Sequence, residues 1–173
     1  MLTRTLLIAP LALAAALSAA QSTVVVTANN QLTGDAVPAT GADVFVPLVN
    51  NPGFGYNNIR TGTAGIDGTY ARSGNGSAHF NNANGKGDIE FYNLGGTGFA
   101  SLGRLADVST FGYDYYRSST STAGTTFSPV IRLFVDLDGN FGTTADQGLV
   151  IYEPIYQAQA AGQSYTAPVN TWT

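Results

Sequence analysis

Residues 129–153, PVIRLFVDLDGNFGTTADQGLVIYE, set two apolar runs on either side of a loop rich in aspartate and glycine. Side chains alternate across a strand with a period of two. In VIRLFVD, Ile131, Leu133 and Val135 therefore share one side, and Arg132, Phe134 and Asp136 the other. In GLVIYE, Leu149 and Ile151 oppose Val150 and Tyr152. This pattern predicts two strands, 129–136 and 148–153, that bury Ile131, Leu133, Val135, Leu149 and Ile151 in a common core.

The same signature recurs upstream. Short runs of β-branched and aromatic residues lie between Gly/Asn/Ser clusters at 22–28, 43–49, 67–72, 77–82, 87–92 and 108–117. Helical periodicity is nearly absent, with SLGRLAD at 101–107 as one short helix or turn. Eight short strands separated by turn signals predict an all-β fold, an antiparallel β-sandwich of jelly-roll-like form. Two connections, 50–66 and 118–128, are Gly/Asn/Ser/Thr-rich and read as long polar loops, either mobile or used for binding.

The first twenty residues follow a different rule. One charge, Arg4, precedes an apolar run from Leu6 to Leu17, and Ser18-Ala19-Ala20 puts small residues before Gln21. That is the three-part pattern of a secretory signal peptide, and the run is shorter than the roughly 20 apolar residues a membrane span needs. The expected organisation is a signal peptide at 1–20 and a single domain at 21–173, exported to the extracellular space, the cell surface or the periplasm.

Without Arg4, six Lys/Arg face eleven Asp/Glu, a net charge of −5. Six scattered cations form no phosphate-binding stripe, which argues against nucleic acid, and no polybasic run offers itself to an anionic membrane. Cysteine is absent, so neither disulfides nor thiolate metal ligands contribute. Stability has to come from sheet packing.

Three chemistries were weighed on particular residues. Asp136, Asp138 and Asn140 fall at alternate positions of the 136–148 loop, and Asp146 follows. An EF-hand would need Gly at its sixth position and Glu at its twelfth; Phe141 and Gln147 stand there instead. A looser calcium site of carboxylates and carbonyls remains one reading, and a plain Asp-Gly turn the other; no other cofactor is required. Asp88 and Glu90 point the same way on one strand, about 6.5–7 Å apart by strand rise, a spacing that a glycosidase pair tolerates. His79 is the sole histidine and has no nucleophile elbow near it, so it reads as a hydrogen-bonded strand residue. Asn75-Gly76-Ser77 is both a sequon and a tight-turn dipeptide, and the turn is preferred.

The segments GNGSAHF (74–80), LGRLADVSTFGYDYYRSS (102–119), SPVIRLFVDLDG (128–139) and GLVIYEPIY (148–156), in that order, resemble a recurring module of secreted bacterial proteins. Members of that group often carry PEP-CTERM-type sorting tails and are similar to jelly-roll, carbohydrate-binding-like domains. The resemblance covers roughly residues 43–173. It implies a non-catalytic surface or envelope module and carries over no catalytic residue. Such modules look as though they continue past a motif similar to APVNTWT (167–173). Here either the closing strands are missing or another chain supplies them, which would leave an edge open to a strand partner.

The expected function is thus an exported, non-catalytic binding module of the bacterial envelope, carbohydrate-binding-like or surface-interacting, with a glycan or an envelope protein as partner. The alternatives are a structural subunit of an envelope or surface-layer assembly and, third, a glycoside hydrolase. The mixed strand faces nominate Asp114, Tyr116, Arg132 and Tyr152 for a glycan: aromatic rings to stack, Asp and Arg to bond hydroxyls.

Overall fold

The computed structural model describes residues 37–42, 44–48, 53–74, 76–81, 87–91 and 101–173; the signal peptide and the strand expected at 22–28 lie outside them. Among the described residues, eight strands run in chain order: β1 (Val37–Pro38), β2 (Val46–Pro47), β3 (Phe54–Asn57), β4 (Thr63–Asp67), β5 (Ser77–Asn81), β6 (Asp88–Phe91), β7 (Ile131–Asp136) and β8 (Gln147–Tyr152). They form two three-stranded sheets, β1-β4-β5 and β2-β3-β6, and the hairpin β7-β8, with every pairing antiparallel. The fold is all-β. Among the described residues the sole α-helix is α1 (Pro154–Ala160), and no helix is long and apolar enough to cross a membrane.

β3 and β4 fall inside the stretch expected to be a polar loop. Their composition is loop-like, but the glycine in β3 has a packing reason. A Cβ on Gly55 would stand 2.3 Å from the Phe45 ring and 2.8 Å from the Val46 carbonyl oxygen, so only glycine permits this close approach. The turn between the two strands uses Asn58 and Gly62 at φ 58° and 72°, left-handed values that these residues tolerate best. The strand expected at 67–72 ends at Asp67 instead. There the Asp67 carboxylate accepts the Thr69 N–H at 2.8 Å, which closes an Asx turn.

Both three-stranded sheets feed one core. Leu48, Tyr56, Ile59 and Ala64 are buried, with Val46, Phe54 and Phe80 packed against them. The Tyr56 ring meets Phe80 edge-on at 6.1 Å, joining β3 to β5. Ile59 is fully buried, and its carbonyl accepts the N–H groups of Thr40 and Gly41 at 2.9 and 3.1 Å. Burying a side chain of this size stabilises by about 1.5–3 kcal/mol.

The register of β7 and β8 corrects the expected five-residue core. Ile131 faces Tyr152, Leu133 faces Val150 and Val135 faces Gly148; Arg132–Ile151 and Phe134–Leu149 occupy the other side. Directly opposed residues share a face, so Leu149 and Ile151 lie across the sheet from Ile131, Leu133 and Val135. Ile131, Leu133 and Val135 are half-buried, whereas Leu149 and Ile151 are 54% and 51% exposed.

The 108–117 stretch makes no ladder. Its single bridge joins Tyr116 to Trp172, flanked by reciprocal bonds between Tyr115 and Thr173 at 2.9 and 3.0 Å. The 118–128 loop is tied down as well. Arg117 donates to the carbonyls of Ala123 and Gly124 at 2.6 and 3.3 Å, the Ala167 N–H reaches the Thr125 carbonyl at 2.8 Å, and Asn170 exchanges bonds with Ser119. After β8, Glu153 caps α1 in extended conformation and Pro154 opens it. Proline suits that position because its missing N–H would be unpaired there anyway.

Candidate functional site

Where these C-terminal pieces converge they leave a cavity of about 290 Å³. Tyr113 and Tyr115 enter it from the same side of their extended stretch, as two-residue alternation requires. Tyr152 comes from the end of β8 and Pro154 from the start of α1; Tyr165, Thr166, Pro168 and Thr173 complete the lining. The Tyr113 and Tyr115 rings lie 5.9 Å apart and tilted. The Tyr115 and Tyr165 hydroxyls bond each other at 2.8 Å, and the Tyr113 hydroxyl donates to the Pro129 carbonyl.

Burial pushes the Tyr113 hydroxyl above its ordinary pKa, helped by the neighbouring Tyr152 and Tyr165 phenols and the Glu153 carboxylate. Burial, then the bond to Tyr165, pushes Tyr115 up as well. Both stay protonated and neutral at physiological pH. Among the described residues, no lysine, arginine, histidine, aspartate or glutamate belongs to the lining. Such a cavity presents flat apolar faces and hydroxyl groups, which suits binding a neutral polar ring.

The four residues expected to bind a glycan join three neighbourhoods. Tyr152 lines the cavity. Asp114 forms an exposed ion pair with Arg72 at 3.5 Å, and beside it Tyr116 stacks on Tyr70 at 4.5 Å and leans against Trp172 at 5.8 Å. Arg132 reaches from β7 to Asp88 on β6 at 2.6 Å. The Tyr116 cluster continues through Tyr70 to His79, edge-on at 5.4 Å, whose Nδ1 lies 2.7 Å from Asp67. Burial alone would raise the Asp67 carboxyl, but the Thr69 N–H and His79 hold it below the usual carboxylate range. This cluster fastens the β4–β5 connection to the C-terminal half.

Asp88 and Glu90 are engaged in the same structural way. Asp88 accepts from Arg132 and, at 3.3 Å, from Asn58; Glu90 accepts from Asn57 with both oxygens, at 3.3 and 3.2 Å.

In the acidic loop, the carboxylate oxygens of Asp136, Asp138 and Asp146 all lie within 4.8 Å of one another. Asp146 accepts the Asp138 N–H at 3.2 Å, and Asp136 accepts Gln147 Nε2 at 3.1 Å. The other Asp136 oxygen, Oδ1, is buried with no hydrogen-bond partner among the described residues. Asn140, expected as the fourth ligand, turns its side-chain oxygen to the Gly142 N–H at 3.1 Å, while its own N–H caps Asp138 at 2.7 Å. Three carboxylates with nearby carbonyls are the donor set of a calcium loop.

Sequence reasoning gave Tyr113, Tyr115 and Tyr165 no role in a site. The available signal was the tyrosine pair at i and i+2, followed much later by a tyrosine-proline stretch. Comparison with known proteins finds no matching family model, no matching curated protein and no matching solved structure.

Proposed function

We propose that this chain is an exported, non-catalytic binding module of the bacterial envelope that holds a carbohydrate in its tyrosine-lined cavity. The observation that carries the reading is the convergence of Tyr113, Tyr115, Tyr152 and Tyr165 on one space, with no Lys, Arg, His, Asp or Glu among the described residues of its lining. Flat rings cover the apolar face of a sugar, and phenolic hydroxyls exchange hydrogen bonds with its hydroxyls. Neutral phenols at physiological pH offer neither a general acid nor a general base matched to glycoside cleavage. Export is supported by the residues before Gln21.

A glycan array probed with the wild-type protein tests the reading, followed by calorimetric titration of the best hits. Tyr152 is half exposed, so Tyr152→Ala removes a ring from the cavity without emptying the core. It is expected to weaken binding tenfold or more, about 1.4 kcal/mol. Tyr116→Ala, outside the cavity, is expected to leave affinity within threefold. Loss of binding with Tyr116→Ala but not with Tyr152→Ala would place the ligand elsewhere.

A second reading concerns the acidic loop as a structural calcium site, favoured by the buried Asp136 Oδ1, without a partner among the described residues, on a residue whose carboxylate clusters with those of Asp138 and Asp146. A buried carboxylate oxygen without a donor is costly, and a cation would relieve it together with the repulsion among the three aspartates. Extracellular calcium sites bind at about 10⁻⁴–10⁻³ M. At a hundredfold excess over Kd, stability rises by about 2.7 kcal/mol. The expected result is a melting temperature several degrees higher in 10 mM calcium than in chelator, with the difference abolished in Asp138→Asn. Equal melts for the wild type would make the loop a plain turn.

A further inference from the structure

Resting on the carbohydrate reading of the same cavity, we infer that the site takes a single uncharged sugar ring and rejects a ring that bears a carboxylate. Size gives the first half. At about 30 Å³ per water the cavity replaces roughly ten waters, room for one ring of about a dozen non-hydrogen atoms. Its 290 Å³ also lies at the bottom of the range for small-molecule sites.

Hydrogen-bond bookkeeping gives the second half. Tyr113 has already given its proton to the Pro129 carbonyl, so it presents only lone pairs inward. Tyr115 and Tyr165 share one proton between their oxygens, which leaves a single free O–H for the pair. Three phenolic oxygens thus offer more acceptors than donors, and the hydroxyls of Tyr152, Thr166 and Thr173 each add one donor and two lone pairs. A sugar hydroxyl can donate to such a surface; a carboxylate can only accept. No cation stands among the described residues of the lining to pair with an anion, and Glu153, whose charge Tyr113 senses, is negative. A carboxylate that enters this setting gives up water without gaining a cation.

The test titrates the full-length mature protein, by calorimetry and saturation-transfer NMR, with methyl glycosides of glucose, galactose and mannose. Each is paired with its counterpart oxidised to the carboxylate at C6. At pH 7 every neutral glycoside that binds is expected to do so at least tenfold more tightly than its oxidised twin, with the difference gone in Tyr152→Ala. A carboxylate that binds as well as or better than its neutral twin overturns the inference and leaves the carbohydrate reading standing. No binding by either member of any pair, with no hits on the array, overturns both.

Discussion

Replacing Tyr56 with alanine is expected to lower the unfolding free energy by about 3–5 kcal/mol, the cost of deleting a large aromatic from a packed core. For a domain of this length that corresponds to a fall in Tm of roughly 6–20 °C. Tyr56 has no exposed surface and holds β3 against Phe80 of β5, so its removal opens a cavity between the two three-stranded sheets. Tyr56→Phe separates the ring from its hydroxyl. The hydroxyl is buried with no hydrogen-bond partner among the described residues. Deleting it removes a polar group that lost its water on folding, and the variant is expected to be as stable as wild type or more stable by about 1 kcal/mol. Thermal and urea unfolding of the pair check both. A Tyr56→Phe protein as damaged as Tyr56→Ala would mean the hydroxyl has a structural partner.

Above pH 10 the protein is expected to unfold by ionisation of its buried tyrosines. Burial raises Tyr56 from 10.0 to about 12, with the Asp67 charge adding to the shift, and Tyr113 and Tyr115 are raised as well. A raised pKa means that the folded chain keeps protons the unfolded chain has released. The associated stability is therefore intact below pH 10 and is lost as pH climbs from 10 toward 12. Tyr56 removes about 1.4 kcal/mol per pH unit across that window. Tyr56 alone accounts for on the order of 3 kcal/mol. Tyrosinate absorbance and far-ultraviolet circular dichroism, followed together against pH, check the prediction. One set of tyrosines should ionise near pH 10, and a second only with the loss of structure. Tyr56→Phe should move the second step to higher pH. A single titration of every tyrosine near pH 10 with the dichroism unchanged would contradict the buried setting of these rings.

The elements that sequence showed well are those whose own alternation was clear. PVIRLFVD contains β7, GLVIYE holds all of β8 but its first residue, Gln147, SAHFNN contains β5, GDIEFY contains β6, and a 3₁₀ turn at Leu105–Asp107 falls within SLGRLAD. What alternation cannot show is parity between strands. A shift of one residue exchanges the two faces of a strand, and only the register revealed that Leu149 and Ile151 lie opposite the face of Leu133. β3 and β4 were hidden by composition. FGYN and TAGID carry glycines that read as turns but serve close packing, the Phe45 ring lying over Gly55. The tyrosine-rich 108–117 stretch erred in the other direction. Its β propensity is high, but among the described residues its carbonyls and N–H groups find no continuous neighbour, and Tyr115 to Arg117 alone pair with the last residues. α1 was missed because Pro154 reads equally as the end of a strand and the first residue of a helix.

The candidate site was legible in part for the same reason. Tyr152 was identified from its strand, but its companions are set by contacts among segments far apart in sequence: Tyr115 with Tyr165, and Thr173 beside both. The acidic loop was plain in sequence because its aspartates are local. Asp136, Asp138 and Asp146 do converge, while Asn140 is drawn off by the Gly142 N–H.

The central claim, a glycan held among four tyrosines, is tested most directly by assigned aromatic NMR spectra recorded while a neutral oligosaccharide from the array is added. The ring signals of Tyr113, Tyr115, Tyr152 and Tyr165 should move together with one saturation curve while those of Tyr70 and Tyr116 stay in place. Movement confined to Tyr70, Tyr116 and Trp172, or no movement of any ring at saturating sugar, would contradict it.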